Sequence, residues 1–171
     1  HLDFDGADDV VYNGPVSVGP FDVPAFAALG ELAGQEKGII TQVVKELEGL
    51  FADLGIVFTT QEPIASQSFS AIYIGGDDRA FAEYGEFLGL SEQVDVGNAD
   101  PDDAGLVFSE QIGSEELTAV IAHEIGHLLG YEHDDESTYS ANHGLEDEAI
   151  VFVVVAATPP TLTAFTSVLE T

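Results

Sequence analysis

Apolar residues recur with helical spacing in two stretches of the chain. In residues 35–54, Ile40, Val43, Val44, Leu47, Leu50, Phe51 and Leu54 fall three or four positions apart, and Gly55 follows as a stop. That spacing predicts a long helix with one buried face. Farther on, Leu117, Ile121, Ile125 and Leu128 form a second stripe. Gly113 and Ser114 give this helix a start, and Glu115 and Glu116 supply acids to its first turn. Shorter β-branched or apolar runs at residues 2–4, 10–12, 56–60, 70–74 and 106–108 read as strands, and Asp5-Gly6, Asn13-Gly14-Pro15 and Gly75-Gly76 close three of them.

The stretches between are less regular. Residues 16–34 mix glycine, proline and small apolar side chains and read as a packed loop. Residues 79–88 read as a short helix with Phe81, Tyr84 and Phe87 on one side, and an acidic loop follows. Beyond His133 the chain is polar and without periodicity to about residue 148. Residues 150–155 are continuously apolar, a strand or a buried turn, and Thr158-Pro159-Pro160 opens a last helix through about residue 169. The order of elements describes an α/β (α+β) fold.

At 171 residues the chain is most simply one domain with its own core. Its longest apolar run, residues 149–157, is far short of a membrane span. No leader-like segment stands at His1, so the sequence reads as a mature or trimmed form. Charge changes the picture most. Thirty-two acidic residues face three basic ones, Lys37, Lys45 and Arg79, for a formal charge of −29. Phosphate binding needs clustered cations, so nucleic acid and anionic membrane surfaces are excluded as partners. Such self-repulsion is relieved by salt or by bound cations. Three readings stay open: a salt-adapted (halophilic) surface, charge that binds calcium, or simply a soluble acidic secreted protein. With no cysteine there is no disulfide framework and no thiol chemistry.

The chemistry concentrates in residues 123–133, H-E-I-G-H-L-L-G-Y-E-H. Positions i and i+4 share a helix face, so His123 and His127 can offer imidazole nitrogens to one metal ion. Glu124, one residue round, reaches a water at that ion without being a ligand. Gly130 suits a helix that must stop at positive φ, and the turn there brings His133 back as a third ligand. Three histidines and one open position describe a catalytic Zn²⁺ site.

This run matches HExxHxxGxxH, and the chain therefore resembles the metzincin clan of zinc metalloendopeptidases, in a matrixin-like form. The resemblance implies a twisted mixed β-sheet with a long N-terminal helix and a zinc-binding active-site helix. It also implies an upper subdomain of about residues 1–130 and a small lower one, about 131–171, that ends in a helix. The implied protein is a secreted, monomeric hydrolase acting on polypeptide, with Glu124 as general base. Substrate would lie extended along a sheet edge between residues 76 and 105. Related proteins carry structural Ca²⁺ in loops of this region, which makes Asp95, Asn98, Asp100, Asp102 and Asp103 candidate calcium ligands beside the alternative of a solvated charge cluster. Tyr139 and His143 are candidates for hydrogen bonds near the zinc, or exposed loop residues.

One position departs from the clan. The chain has no methionine, and Ala149-Ile150-Val151-Phe152 resembles the clan's methionine turn with Val151 in the methionine's place. The substitution keeps an apolar floor under the site. Two alternatives to the protease accompany it: a zinc-bearing but inactive or restricted binding module, and a salt-adapted acidic extracellular protein with a vestigial site.

Overall fold

The computed structural model describes residues 1–64 and 66–133 and the backbone of residues 152–154. In chain order these hold β1 (Leu2–Asp3), β2 (Ala7–Asn13), β3 (Ser17–Val23), α1 (Glu36–Leu50), β4 (Ala71–Ile74), β5 (Gly89–Ser91), β6 (Ala104–Val107), α2 (Leu117–Leu128), β7 (Tyr131–His133) and β8 (Phe152–Val154). The fold is mixed α/β, with a mixed sheet and two helices, as the apolar pattern predicts.

The sheet runs β1-β4-β6-β5. The first three strands are parallel, and β5 lies antiparallel to β6 at the edge, with Leu90 opposite Leu106. Side chains alternate across a strand, and here each face meets different partners. Ile72, Ile74 and Val107 point to the helices, where they share one core with Val43 and Leu47 of α1 and Ile121 of α2. Tyr73 and Leu106 point the other way, into a smaller cluster built on Phe81. The rings of Tyr12, Phe21, Phe87 and Phe108 surround Phe81 with centroids 5.3–6.3 Å away. Central strands covered on both faces read as near-continuous apolar runs, which is why β4 and β6 were visible in the sequence.

The expected long helix is α1, which ends at Leu50; the 3₁₀ turn Ala52–Leu54 continues it to Gly55, where φ is +70°. The expected second stripe is α2, which is buried nearly all round, with Val120, Ala122, Glu124 and Gly126 also covered. Four expectations need correction. Helix α2 begins only at Leu117, so Glu115 and Glu116 precede its first turn instead of lying in it. Residues 16–34 are not all loop, because β3 pairs antiparallel with β2 through a shifting register. A two-stranded ribbon buries one face, so it tolerates the Gly19-Pro20 pair that disguised it. Residues 79–88 hold the 3₁₀ turn Arg79–Phe81 and not a helix, since Phe81 turns inward while Tyr84 is exposed. Residues 56–60 form no strand; next to the two-residue β1, the Thr59 carbonyl accepts one bond from Leu2 N–H at 2.8 Å.

Downstream, β7 pairs antiparallel with β8, placing His133 opposite Phe152. The apolar run at residues 150–155 thus supplies a strand. Val151, Tyr139, His143 and the helix expected at residues 158–169 lie outside the described residues. Among the described residues no helix is long and apolar enough to cross a membrane.

Candidate metal centre

Helix α2 carries His123 and His127 one turn apart, and their Nε2 atoms lie 3.1 Å from each other. The third imidazole arrives through a reversal at Gly130. There φ is +90°, and a Cβ would stand 2.6 Å from the Val96 Cα and 2.9 Å from the Asp95 carbonyl oxygen. Glycine is required at Gly130 for both reasons. Gly130 N–H and Asp95 N–H both donate to the His127 carbonyl at 2.9 Å, which ends the helix and ties the 95–96 loop to it. After the turn, β7 presents His133 with its Nε2 2.8 Å from His123 Nε2.

The tautomer of His127 follows from one contact. Its Nδ1 lies 2.8 Å from the Tyr131 carbonyl oxygen, which can only accept, so Nδ1 carries the proton and Nε2 offers a lone pair. Burial favours the neutral ring, pushing the His127 pKa down, and the nearby His133 adds to that against the Tyr131 bond. His123 Nε2 therefore meets a lone pair at His127 and a second nitrogen at His133 with at most one proton of its own. A cation bound by all three lone pairs resolves that arrangement. At Zn–N distances of about 2.0–2.1 Å, tetrahedral ligand nitrogens stand roughly 3.3 Å apart; the two distances to His123 are 3.1 and 2.8 Å, and all three donor atoms lie within 4.8 Å of one another. The donor set fits. Among the described residues this is the group of three or more histidine and acidic side chains whose donor atoms converge enough to hold one metal ion.

Glu124 follows His123 on α2 and has 4% of its surface exposed. Ser91 Oγ–H reaches its Oε2 at 2.7 Å and lies 3.0 Å from its backbone carbonyl. Burial pushes the carboxyl up to about 8, against the pull of the Ser91 bond. A Cβ on Gly89 would stand 2.5 Å from Glu124 Oε1. Both contacts come from β5, an antiparallel edge strand within the 76–105 interval where the substrate-binding edge was expected. On its far side the Ser91 carbonyl accepts from Tyr12 OH at 2.9 Å. Sequence reading did not single out Ser91, Gly89 or Tyr12, which belong to no motif and act across long separations.

The second candidate site is organised differently. Asp95 Oδ2 accepts from Asp100 N–H at 2.8 Å, and Asp100 Oδ1 from Asp102 N–H at 3.2 Å. Asn98 holds the turn at φ +49°. The carboxylates of Asp95 and Asp100 serve the loop's own amides, whereas both carboxylate oxygens of the buried Asp103 lack a hydrogen-bond partner among the described residues, and no three of these residues converge on a common point as the histidines do. Asp103 is buried, which pushes its carboxyl above the usual range; the negative charges of Asp95, Asp100 and Glu92 add to this against a pull from the Ser70 hydroxyl.

No protein-family profile matches the chain, and neither a curated protein nor a solved structure is detectably similar to it.

Proposed function

We propose that this chain is a zinc-dependent endopeptidase of the metzincin kind. One observation carries the proposal: three histidine side chains converge, and the residue that follows the first of them in sequence, Glu124, is a buried carboxylate. A structural zinc site has no use for that carboxylate, and its retention favours hydrolysis over mere metal storage.

His123, His127 and His133 would hold the ion, and His127 is oriented by Tyr131. Zinc, when bound, supplies Lewis acidity that acidifies water and draws electrons from a peptide carbonyl. Glu124 would take a proton from water at Oε1, since Ser91 occupies Oε2, and return it to the departing amine. The burial of Glu124 keeps bulk water from competing for that proton. β5 is an edge strand of the sheet, where an extended polypeptide would add a strand beyond the point at which Tyr12 OH holds the Ser91 carbonyl.

The test joins metal analysis with hydrolysis of a casein-type substrate, with and without a chelator. The expected result is about one zinc per chain and activity that disappears on chelation and returns with zinc. Zinc bound without any hydrolysis would favour the inactive binding module, and absence of zinc the vestigial site.

A further inference from the structure

We propose that Ser91 is a positioning residue for Glu124, setting from the edge strand where the carboxylate points. The inference rests on the reading of Glu124 as the base. Ser91 Oγ stands 2.7 Å from Glu124 Oε2 and 3.0 Å from the Glu124 carbonyl oxygen. A hydroxyl has one hydrogen to give, and the contact to Oε2 is the shorter of the two. Glu124 is otherwise enclosed, so this bond selects one orientation of its carboxyl group.

Gly89 does the complementary part. It lies two residues before Ser91 and so on the same face of β5. A Cβ there would come within 2.5 Å of Oε1 and 2.9 Å of Cδ of Glu124. One residue of the strand donates to the carboxylate, and the other leaves it room. Ser91 is itself braced on two sides. It pairs with Gly105 across the sheet, and its carbonyl accepts from Tyr12 OH at 2.9 Å.

The experiment compares wild type, Ser91→Ala, Ser91→Thr and Gly89→Ala by two readouts. The first uses metal-free protein carrying ¹³C at glutamate Cδ, with the Glu124 resonance assigned by its loss in Glu124→Gln. That resonance should move in Ser91→Ala and in Gly89→Ala, and return toward wild type in Ser91→Thr, which keeps the hydroxyl. The second is kinetic, on zinc-loaded protein. Ser91→Ala should keep its zinc and KM while kcat falls roughly ten- to a hundredfold, as displacement of a reacting group does, and Ser91→Thr should recover most of it. Should Ser91→Ala fail to fold, Ser91→Cys, similar in shape and a weak donor, takes its place. A Glu124 resonance unmoved by loss of the hydroxyl overturns the proposal. So does a kcat within about twofold of wild type, or a kcat that falls only in step with lost zinc. Wild type that binds zinc and cleaves nothing would end the endopeptidase reading, while the carbon resonance would still decide the role of Ser91.

Discussion

The histidine triad and the acidic loop at residues 95–103 both carry metal-ligating side chains within a few turns of chain, yet they arrive at opposite arrangements. In the triad the backbone does the gathering. One helical turn separates His123 from His127, and a glycine reversal returns His133 to them, so no side chain is spent on holding the geometry. In the loop the side chains do the holding, with Asp95 and Asp100 accepting from loop amides. A carboxylate that terminates a turn has fewer lone pairs for an ion. Ligand type and spacing are therefore weaker evidence than the element that delivers them. The two regions also touch, since Asp95 N–H and Val96 pack on the turn at Gly130.

The comparison breaks most severely at the triad. His127→Ala removes a ligand and the ring anchored to Tyr131, and should leave no zinc after dialysis and no hydrolysis. Glu124→Gln separates metal from chemistry. It should retain zinc and lose on the order of 10²–10⁴ in kcat, measured by steady-state hydrolysis of a peptide substrate. Wild-type turnover in that variant would remove Glu124 from the mechanism.

Gly130→Ala tests the junction of the two regions. Positive φ and a Cβ 2.6 Å from the Val96 backbone both oppose it. The expected cost is about 1–3 kcal/mol in denaturant unfolding, with zinc affinity reduced roughly tenfold or more as His133 is displaced. Within the loop, Asp103→Asn should stabilise the protein at neutral pH. Burial pushes its folded carboxyl above the ordinary aspartate range, so ionisation at neutral pH costs the folded state. The advantage of the variant should shrink as pH falls through the raised folded value and vanish only below the ordinary aspartate value, where wild type is protonated in both states. Melts of both proteins across that range check it. A stabilising carboxylate at this position, lost in the Asn variant, would mean that the loop has a cation after all.

The smallest effect expected is spread over the whole surface. With 32 acidic and three basic residues, self-repulsion weakens as the Debye length shortens, so the thermal midpoint should climb with sodium chloride. A flat series would show that the fold already compensates its charge.

How much of this could be read in the sequence depended on the distance over which each feature is specified. The triad needed eleven consecutive residues, and α1 a periodic run with a glycine stop, so both were legible. Strands β4 and β6 were legible because helices cover one face and the Phe81 cluster the other. The β2–β3 ribbon was not, because Gly19 and Pro20 sit inside a strand whose outer positions are exposed. Ser91 and Gly89 carried no local signal. Their relation to Glu124 spans 33 residues for Ser91, and that of Tyr12 to Ser91 spans 79. Only tertiary pairing brings them together. At residues 95–103 the sequence shows which ligand types are present, while the bonds that Asp95 and Asp100 make to loop amides are visible only in the folded loop.

The most direct test of the central claim is the zinc content of purified, reconstituted protein, with wild type, His133→Ala and an Asp95→Asn/Asp100→Asn double variant handled side by side. The account predicts about one zinc per chain in wild type and in the loop variant, and none retained in His133→Ala. Wild type holding well under one zinc, or zinc lost from the loop variant and kept without His133, would contradict it.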